Sequence, residues 1–157
     1  MEYKIVNSEE LHFLGISVKK LKYNANNEKL ILKLWESLYS EGFIEELESV
    51  RADDTIKGVM YDIDTVKKQF SFLIGVQTKK IQYLKGMVSL TLPKHKYLVF
   101  EHKGALIGNI NSFKSEIMTD FIPFTNFDLE PIAEIEVYYK GGEHLKKFRF
   151  DYWLSIK

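Results

Sequence analysis

In the first half of the chain, hydrophobic residues recur at the spacing of a strand in some stretches and at the spacing of a helix in others. Alternation predicts a strand from about Leu11 to Lys19, and the same period recurs in KGVMYDID and QFSFLIGVQ, which together predict a hairpin. Between them, NANNEKLILKLWESLYSEG places leucines and Trp35 at helical spacing and ends at Gly42. The first half is therefore predicted to run strand, helix, strand, strand.

The second half repeats this order. KYLVFEHKG predicts a strand, and IGNINSFKSEIMTDFIP predicts a helix that stops before Pro123. AEIEVYY and KFRFDYWLSI then predict two strands joined by a turn at Gly141 and Gly142. We therefore expect one domain over residues 1–157, built from pseudo-repeats at about residues 1–80 and 93–157.

Two such units imply an α+β fold. Joined about a pseudo-two-fold axis, they would form one curved, mostly antiparallel sheet with two helices and a central pocket where the halves meet. A local alignment of the copies pairs Tyr61 with Tyr138 and Val59 with Glu136. It predicts that the strands carrying Tyr61 and Tyr138 face each other at the pocket.

The stretch IAEIEVYYKGG raises a question of chemistry. As a strand it places Glu134, Glu136 and Tyr138 on one face, while the other face is apolar. Antiparallel sheets often expose one face to water, so solvated carboxylates are one interpretation. The other is a cavity that requires a negative charge, and spacing by itself leaves both open.

Composition and charge argue against several classes of function. The 22 basic residues balance 22 acidic ones, and only Arg51 and Arg149 are arginines, so the basic stripe typical of nucleic-acid binders is missing. The absence of cysteine excludes disulfides and thiolate chemistry. We see neither a signal pattern nor a run of membrane-span length, and we expect a cytoplasmic protein without membrane association. Direct binding of nucleic acid is not expected.

Motifs for metal or cofactor chemistry are also missing from the sequence. The four histidines have no ligand spacing, the serines no nucleophile elbow, and the glycines no phosphate-binding context. We therefore expect no metal and no cofactor, and we assign no catalytic residue. The residues by themselves leave open whether the chain is a binding protein or an enzyme.

Several short motifs, in order, resemble one family over essentially the whole chain. LGISVK, GVMYD, FLIGV, YLVFEHKG, IEVYY and YWLSIK resemble successive strands of the GyrI-like small-molecule-binding domain, also called the AraC-type effector-binding domain. The resemblance implies two repeats around an apolar, aromatic-lined cavity. It also implies that Glu136, which matches the glutamate of the family's Glu-x-Tyr motif, points into that cavity.

The resemblance implies a function as well. Family members bind or sense hydrophobic, often cationic, small molecules; many are fused to DNA-binding domains, and others stand alone. We expect a stand-alone module that senses or sequesters such compounds, with a lone Glu136 supplying charge to a cationic or amphipathic ligand. The expected ligand-contacting rings are Tyr61, Phe72 and Tyr138, with Trp35 at the edge of the cavity or in the core.

Two alternatives follow from the same resemblance. Some relatives hydrolyse cyclopropane-containing toxins, so Glu136 could act as a general acid or base on strained or electrophilic compounds. Phe72 stands where the family often has tyrosine, which weakens this alternative because a hydroxyl is lost. Another relative modulates gyrase, so an unknown protein partner is a further alternative.

Overall fold

Eight antiparallel strands form one curled sheet in the computed structural model, which describes residues 1–23, 25–103, 110–140 and 149–157. The strands are β1 (Lys4–Ser8), β2 (Leu11–Lys22), β3 (Ile56–Asp64), β4 (Gln69–Thr78), β5 (Val88–Leu92), β6 (His95–Lys103), β7 (Leu129–Tyr138) and β8 (Arg149–Ile156). Hydrophobic alternation predicted most of them, but it missed the short edge strands β1 and β5.

Within the described residues, three α-helices lie on the sheet: α1 (Glu28–Ser40), α2 (Phe43–Leu47) and α3 (Ile110–Glu116). The Asn26 side chain accepts a hydrogen bond from the first backbone N–H of α1 at 3.1 Å. Gly42 has a φ of 79°, a left-handed conformation that glycine adopts easily, so α1 ends there. Past α3 the chain continues as a π-helical turn (Ile117–Phe121) and a short 3-10 turn (Ile122–Phe124).

The strand order is β1-β6-β8-β7-β3-β4-β2-β5. Each half of the sheet thus holds the strands of one unit, β2–α1–β3–β4 or β6–α3–β7–β8, and the halves join where β7 pairs with β3. The predicted α+β fold with two strand-helix-strand-strand units is confirmed. The predicted turn at Gly141 and Gly142 lies outside the described residues.

One face of the sheet is the inside of the curl. Phe13 and Leu92 come from strands at one end of the sheet, and Tyr97 and Val99 come from a strand near the other end. All four are buried in one hydrophobic cluster, which requires the sheet to bend toward this inner face.

The outer face carries the helices in two separate patches. Leu38 of α1 and Leu47 of α2 pack with residues of β2 and β4. Residues of α3 and of the turns after it pack on β6 and β8. They include the four residues that helical spacing placed on one side: Ile110, Phe113, Ile117 and Phe121. Between the two patches lies the outer face of β3 and β7. No helix within the described ranges is long and apolar enough to cross a membrane.

Candidate ligand-binding site

A cavity of about 560 Å³ lies between α1 and α3, above the central strands. Its size falls within the range of small-molecule sites. Both helices and the strands of both units contribute to its wall, which consists of Asn27, Glu28, Ile31, Leu32, Trp35, Met60, Phe70, Phe72, Ile110, Asn111, Lys114, Glu136 and Tyr138. The two units therefore enclose a cavity at their junction, on the face of the sheet that carries the helices.

The register of β3 against β7 positions the floor of the cavity. Glu136 pairs with Gly58, and Tyr138 pairs with Ile56. Directly paired residues of antiparallel strands share a face, so Gly58 lies beneath the carboxylate. A Cβ added to Gly58 would lie 2.9 Å from Phe72 Cζ and 3.0 Å from Glu136 Oε1, so the glycine leaves the room that both side chains occupy.

Glu136 is a buried carboxylate with two donors. The residue is only 8% exposed. Lys114 Nζ donates to its Oε2 at 2.5 Å, and the Tyr138 hydroxyl donates to its Oε1 at 2.7 Å. Since an unpaired buried carboxylate is strongly disfavoured, these two donors compensate the burial of Glu136 within the cavity.

The protonation of both donors follows from this arrangement. Burial opposes the charge of Lys114, but the attraction of Glu136 outweighs it and leaves the pKa of Lys114 raised. Burial, reinforced by the neighbouring Glu136, raises the pKa of Tyr138 far above its usual value. At neutral pH the ammonium is therefore charged and the phenol remains a hydrogen-bond donor.

Aromatic rings surround the charged pair. Trp35 meets Tyr138 edge-on with ring centroids 5.0 Å apart, and Tyr138 lies 5.2 Å from Phe150. Phe72 is 5% exposed and belongs both to the cavity wall and to the α1 core cluster. Such walls offer stacking surface to a hydrophobic ligand and cation–π attraction to a charged one.

A second carboxylate lies near the same pair. Glu134, two residues before Glu136, is half-buried and accepts a hydrogen bond from the Tyr152 hydroxyl. The ring of that tyrosine in turn lies under the ammonium of Lys114, with Nζ 5.1 Å from the ring centroid. Lys114 therefore contacts Glu136 directly and reaches Glu134 by way of Tyr152.

The structure brings together four of the five residues predicted for the site: Glu136, Tyr138, Phe72 and Trp35. Tyr61 lies elsewhere. It is buried in the inner core, and its hydroxyl hydrogen-bonds with that of Ser17 at 2.6 Å. The strands that carry Tyr61 and Tyr138 do meet, since β3 pairs with β7. The register pairs Met60 with Glu134, however, so the even-numbered residues of β3, and not Tyr61, face the cavity.

Of the wall residues that sequence reasoning missed, Lys114 matters most, because it overturns the expectation of a lone Glu136. The two residues are 22 positions apart, on a helix and a strand, so no local spacing joins them. A physical signal existed nevertheless: a carboxylate expected in an apolar cavity needs a cation, and the second helix offers lysine. Within the described parts of the chain, no group of three or more His, Asp or Glu residues could hold a metal ion.

Comparisons with known proteins agree with this fold. SAV2435 bound to tetraphenylphosphonium superimposes with a TM-score of 0.83 at 22% identity, covering 100% of this chain and 94% of that one. A putative transcription regulation protein from Staphylococcus aureus MU50 gives a TM-score of 0.82 at 23% identity, covering 100% and 99%. A hydrolase from Listeria innocua is more distant, with a TM-score of 0.52 at 10% identity, covering 99% and 92%.

A search among curated proteins found no significant sequence match. The family comparison is decisive, because the model of the GyrI-like small molecule binding domain matches residues 1–157. The motifs of the sequence, the fold and the ring-lined cavity between the two units agree with that match. This chain therefore belongs to the GyrI-like small-molecule-binding family.

Proposed function

We propose that this chain captures bulky, hydrophobic cations in the cavity between α1 and α3, with Glu136 as their anionic partner. One observation carries the proposal: a carboxylate that is only 8% exposed lies on the floor of a ring-lined cavity of about 560 Å³. Low local dielectric strengthens the attraction of such a group for a cation that enters without its hydration shell. The aromatic neighbours add about 0.5–2 kcal/mol each.

The cavity suits ligands with a delocalised charge and large apolar groups. Its wall is mostly aliphatic and aromatic, and its polar groups lie at the floor, on α3 and at the start of α1. A drug-sized compound buries most of its surface in a site of this volume, so stacking area rather than directed hydrogen bonds would supply most of the affinity. The tetraphenylphosphonium that SAV2435 binds has this chemistry and is our first probe.

Capture without chemical change is the favoured mode. Each oxygen of Glu136 already accepts a hydrogen bond, and Phe72 brings no hydroxyl to the floor. These features suit a fixed negative charge better than a general base. Binding of this kind sequesters the compound by itself. It also serves as a sensor if a second protein recognises the ligand-bound form.

The test compares isosteric ligands of opposite charge. Isothermal titration of the chain with tetraphenylphosphonium should show binding, and Glu136→Gln should weaken it about 100-fold because a buried charge pair is lost. Tetraphenylborate, an anion of the same shape, should gain rather than lose affinity. Glu130→Gln is the matched control: it removes the same charge from the same strand, outside the cavity.

Two results would contradict the proposal. Equal loss of affinity for the cation and the anion in Glu136→Gln would mean that the residue acts through shape. Conversion of an electrophilic compound during incubation, detected by mass spectrometry and abolished in Glu136→Gln, would favour the hydrolase alternative instead.

A further inference from the structure

The floor carboxylate already has a cation of its own. Lys114 Nζ lies 2.5 Å from Glu136 Oε2, and it reaches that oxygen from α3, across the cavity from α1. A cationic ligand that takes Glu136 as its partner therefore meets a carboxylate that is already paired with a cation. Either the ligand stays away from Glu136, or the ammonium of Lys114 moves.

The surroundings of Lys114 permit that movement. Its side chain is 26% exposed, whereas that of Glu136 is 10% exposed, so the lysine is the partner with access to the open part of the cavity. Four rotatable carbon–carbon bonds allow it to swing while its helix stays in place. The anion, in contrast, is fixed between a central strand and the Tyr138 hydroxyl.

A second anionic partner is within reach of the moving ammonium. The Tyr152 ring lies under Lys114 Nζ, and the hydroxyl of the same ring donates to Glu134. Glu134 and Glu136 share one face of β7 at a spacing of two residues. The attraction of Glu134 adds to that of Glu136 in raising the pKa of Lys114. Lys114 is thus attracted by two carboxylates.

We propose that Lys114 is a displaceable internal counter-ion: it neutralises Glu136 in the empty cavity and passes to Glu134 when a cationic ligand takes Glu136. This inference rests on the proposed function and adds to it a residue that determines specificity. The exchange costs less than opening an isolated ion pair, because the displaced ammonium is never left without an anion.

The exchange defines which cations the site accepts. Lys114 is tethered to the cavity wall, so its ammonium competes at an effective concentration that free compact ammonium ions do not match. A small amine offers Glu136 only the charge attraction that Lys114 already provides, so it has no advantage over the lysine. A bulky cation gains the stacking surface of Trp35, Phe72 and Tyr138 in addition, so size and hydrophobicity become conditions for binding.

The first experiment removes the competitor. In Lys114→Met the chain keeps an unbranched side chain of similar length and loses the ammonium. At pH 8, tetraphenylphosphonium should bind this variant about tenfold more tightly than the natural chain, and tetramethylammonium should show a larger relative gain. Lys94→Met removes the same charge from an exposed lysine away from the cavity and should leave both affinities unchanged.

The second experiment removes the alternative partner. Glu134→Gln should weaken tetraphenylphosphonium binding about fivefold, because Lys114 then leaves Glu136 less readily. In the Lys114→Met background the same change should have no effect, so the double-mutant cycle isolates the exchange. An equal loss in both backgrounds would show that Glu134 acts on the ligand directly and would overturn the second half of the proposal.

The outcomes separate this inference from the proposed function. If tetraphenylphosphonium binds neither the natural chain nor Lys114→Met, the proposed function fails and the exchange with it. If the natural chain binds it and Lys114→Met binds equally or more weakly, only the exchange is refuted. Should Lys114→Met fail to fold, lysine-selective NMR of the natural chain decides: saturating tetraphenylphosphonium must shift the Lys114 ammonium signal, and an unmoved signal refutes the exchange.

Discussion

Two lysine–carboxylate pairs lie on opposite faces of the same central strands, and they differ in almost every physical respect. On the inner face, Lys57 of β3 bonds to Asp53, four residues earlier, at 3.2 Å. On the outer face, Lys114 of α3 bonds to Glu136 of β7 across the cavity. The first pair joins neighbouring positions of one segment, and the second joins two elements that pack separately.

Their settings differ too. The Lys57 side chain is only 6% exposed, and the Asp53 carboxylate is also fixed by the backbone N–H and hydroxyl of Thr55. Burial lowers the pKa of Lys57, with Asp53 offsetting part of the effect, whereas the pKa of Lys114 is raised. A local pair that compensates a buried ammonium stabilises the fold, although the Asp53 side chain itself is 45% exposed. In our proposal, by contrast, a ligand opens the Lys114–Glu136 pair, whose two residues line the cavity, while the fold stays intact.

The largest expected effect tests the Lys57–Asp53 pair. Asp53→Asn keeps the shape of the side chain but removes the anion bonded to the buried ammonium of Lys57. Because the 45% exposed Asp53 carboxylate is partly screened by water, the change should cost about 2 kcal/mol of unfolding free energy in urea denaturation. Affinity for tetraphenylphosphonium should stay within about twofold of the natural chain, since the change lies on the other face of the sheet.

The control for that prediction is the next residue. Asp54→Asn removes the same charge from the next exposed position, which is not the bonded partner of Lys57, and should leave the unfolding free energy nearly unchanged. A strong loss of ligand affinity in Asp53→Asn, at intact stability, would erase the distinction between the two pairs.

A smaller effect is expected at the floor of the cavity. In Gly58→Ala the new methyl group would press on the ends of Phe72 and Glu136, which can shift by a few tenths of an ångström. We expect tetraphenylphosphonium affinity to fall about fivefold, equivalent to about 1 kcal/mol, at the low end of overpacking costs. Titration calorimetry measures the change, and unaltered affinity would show that the carboxylate does not need its present position.

The smallest effect concerns alkaline pH, where the two lysines should act in opposite directions. The folded-state pKa of Lys57 lies below its unfolded value of 10.5, so the unfolded chain binds more protons between these values and stability rises with pH there. The folded-state pKa of Lys114 lies above 10.5, so its contribution is complete below that pH and is lost as pH rises through the raised value.

Denaturation profiles of single variants between about pH 8 and about pH 11 resolve these contributions. Relative to the natural chain, Lys57→Met should lose the rise in stability with pH, and Lys114→Met should lose the fall at the alkaline end. Profiles that change in the same direction for both variants would contradict the assignment.

Much of this molecule could be predicted from the order and period of its residues. Alternation placed Glu136 and Tyr138 on one face of a strand, and helical spacing placed Phe113 and Ile117 on one side of a helix, as the structure has them. These features are local, because strand and helix periods follow from backbone geometry within a few residues. The repeated unit, which the sequence also displays, then predicts the fold class.

Two decisive features were not local, and only the tertiary structure decided them. Which residues of β3 lie beside Glu136 depends on the register between strands about 80 positions apart. The alignment of the two copies put Tyr61 on the cavity face, whereas the observed register puts it on the opposite face. Whether Glu136 is a lone charge depends on the place where α3 packs, because that packing brings the ammonium of Lys114 to it. Sequence periods fix the direction of a side chain within its own element, whereas its neighbours across a cavity depend on how the elements pack together.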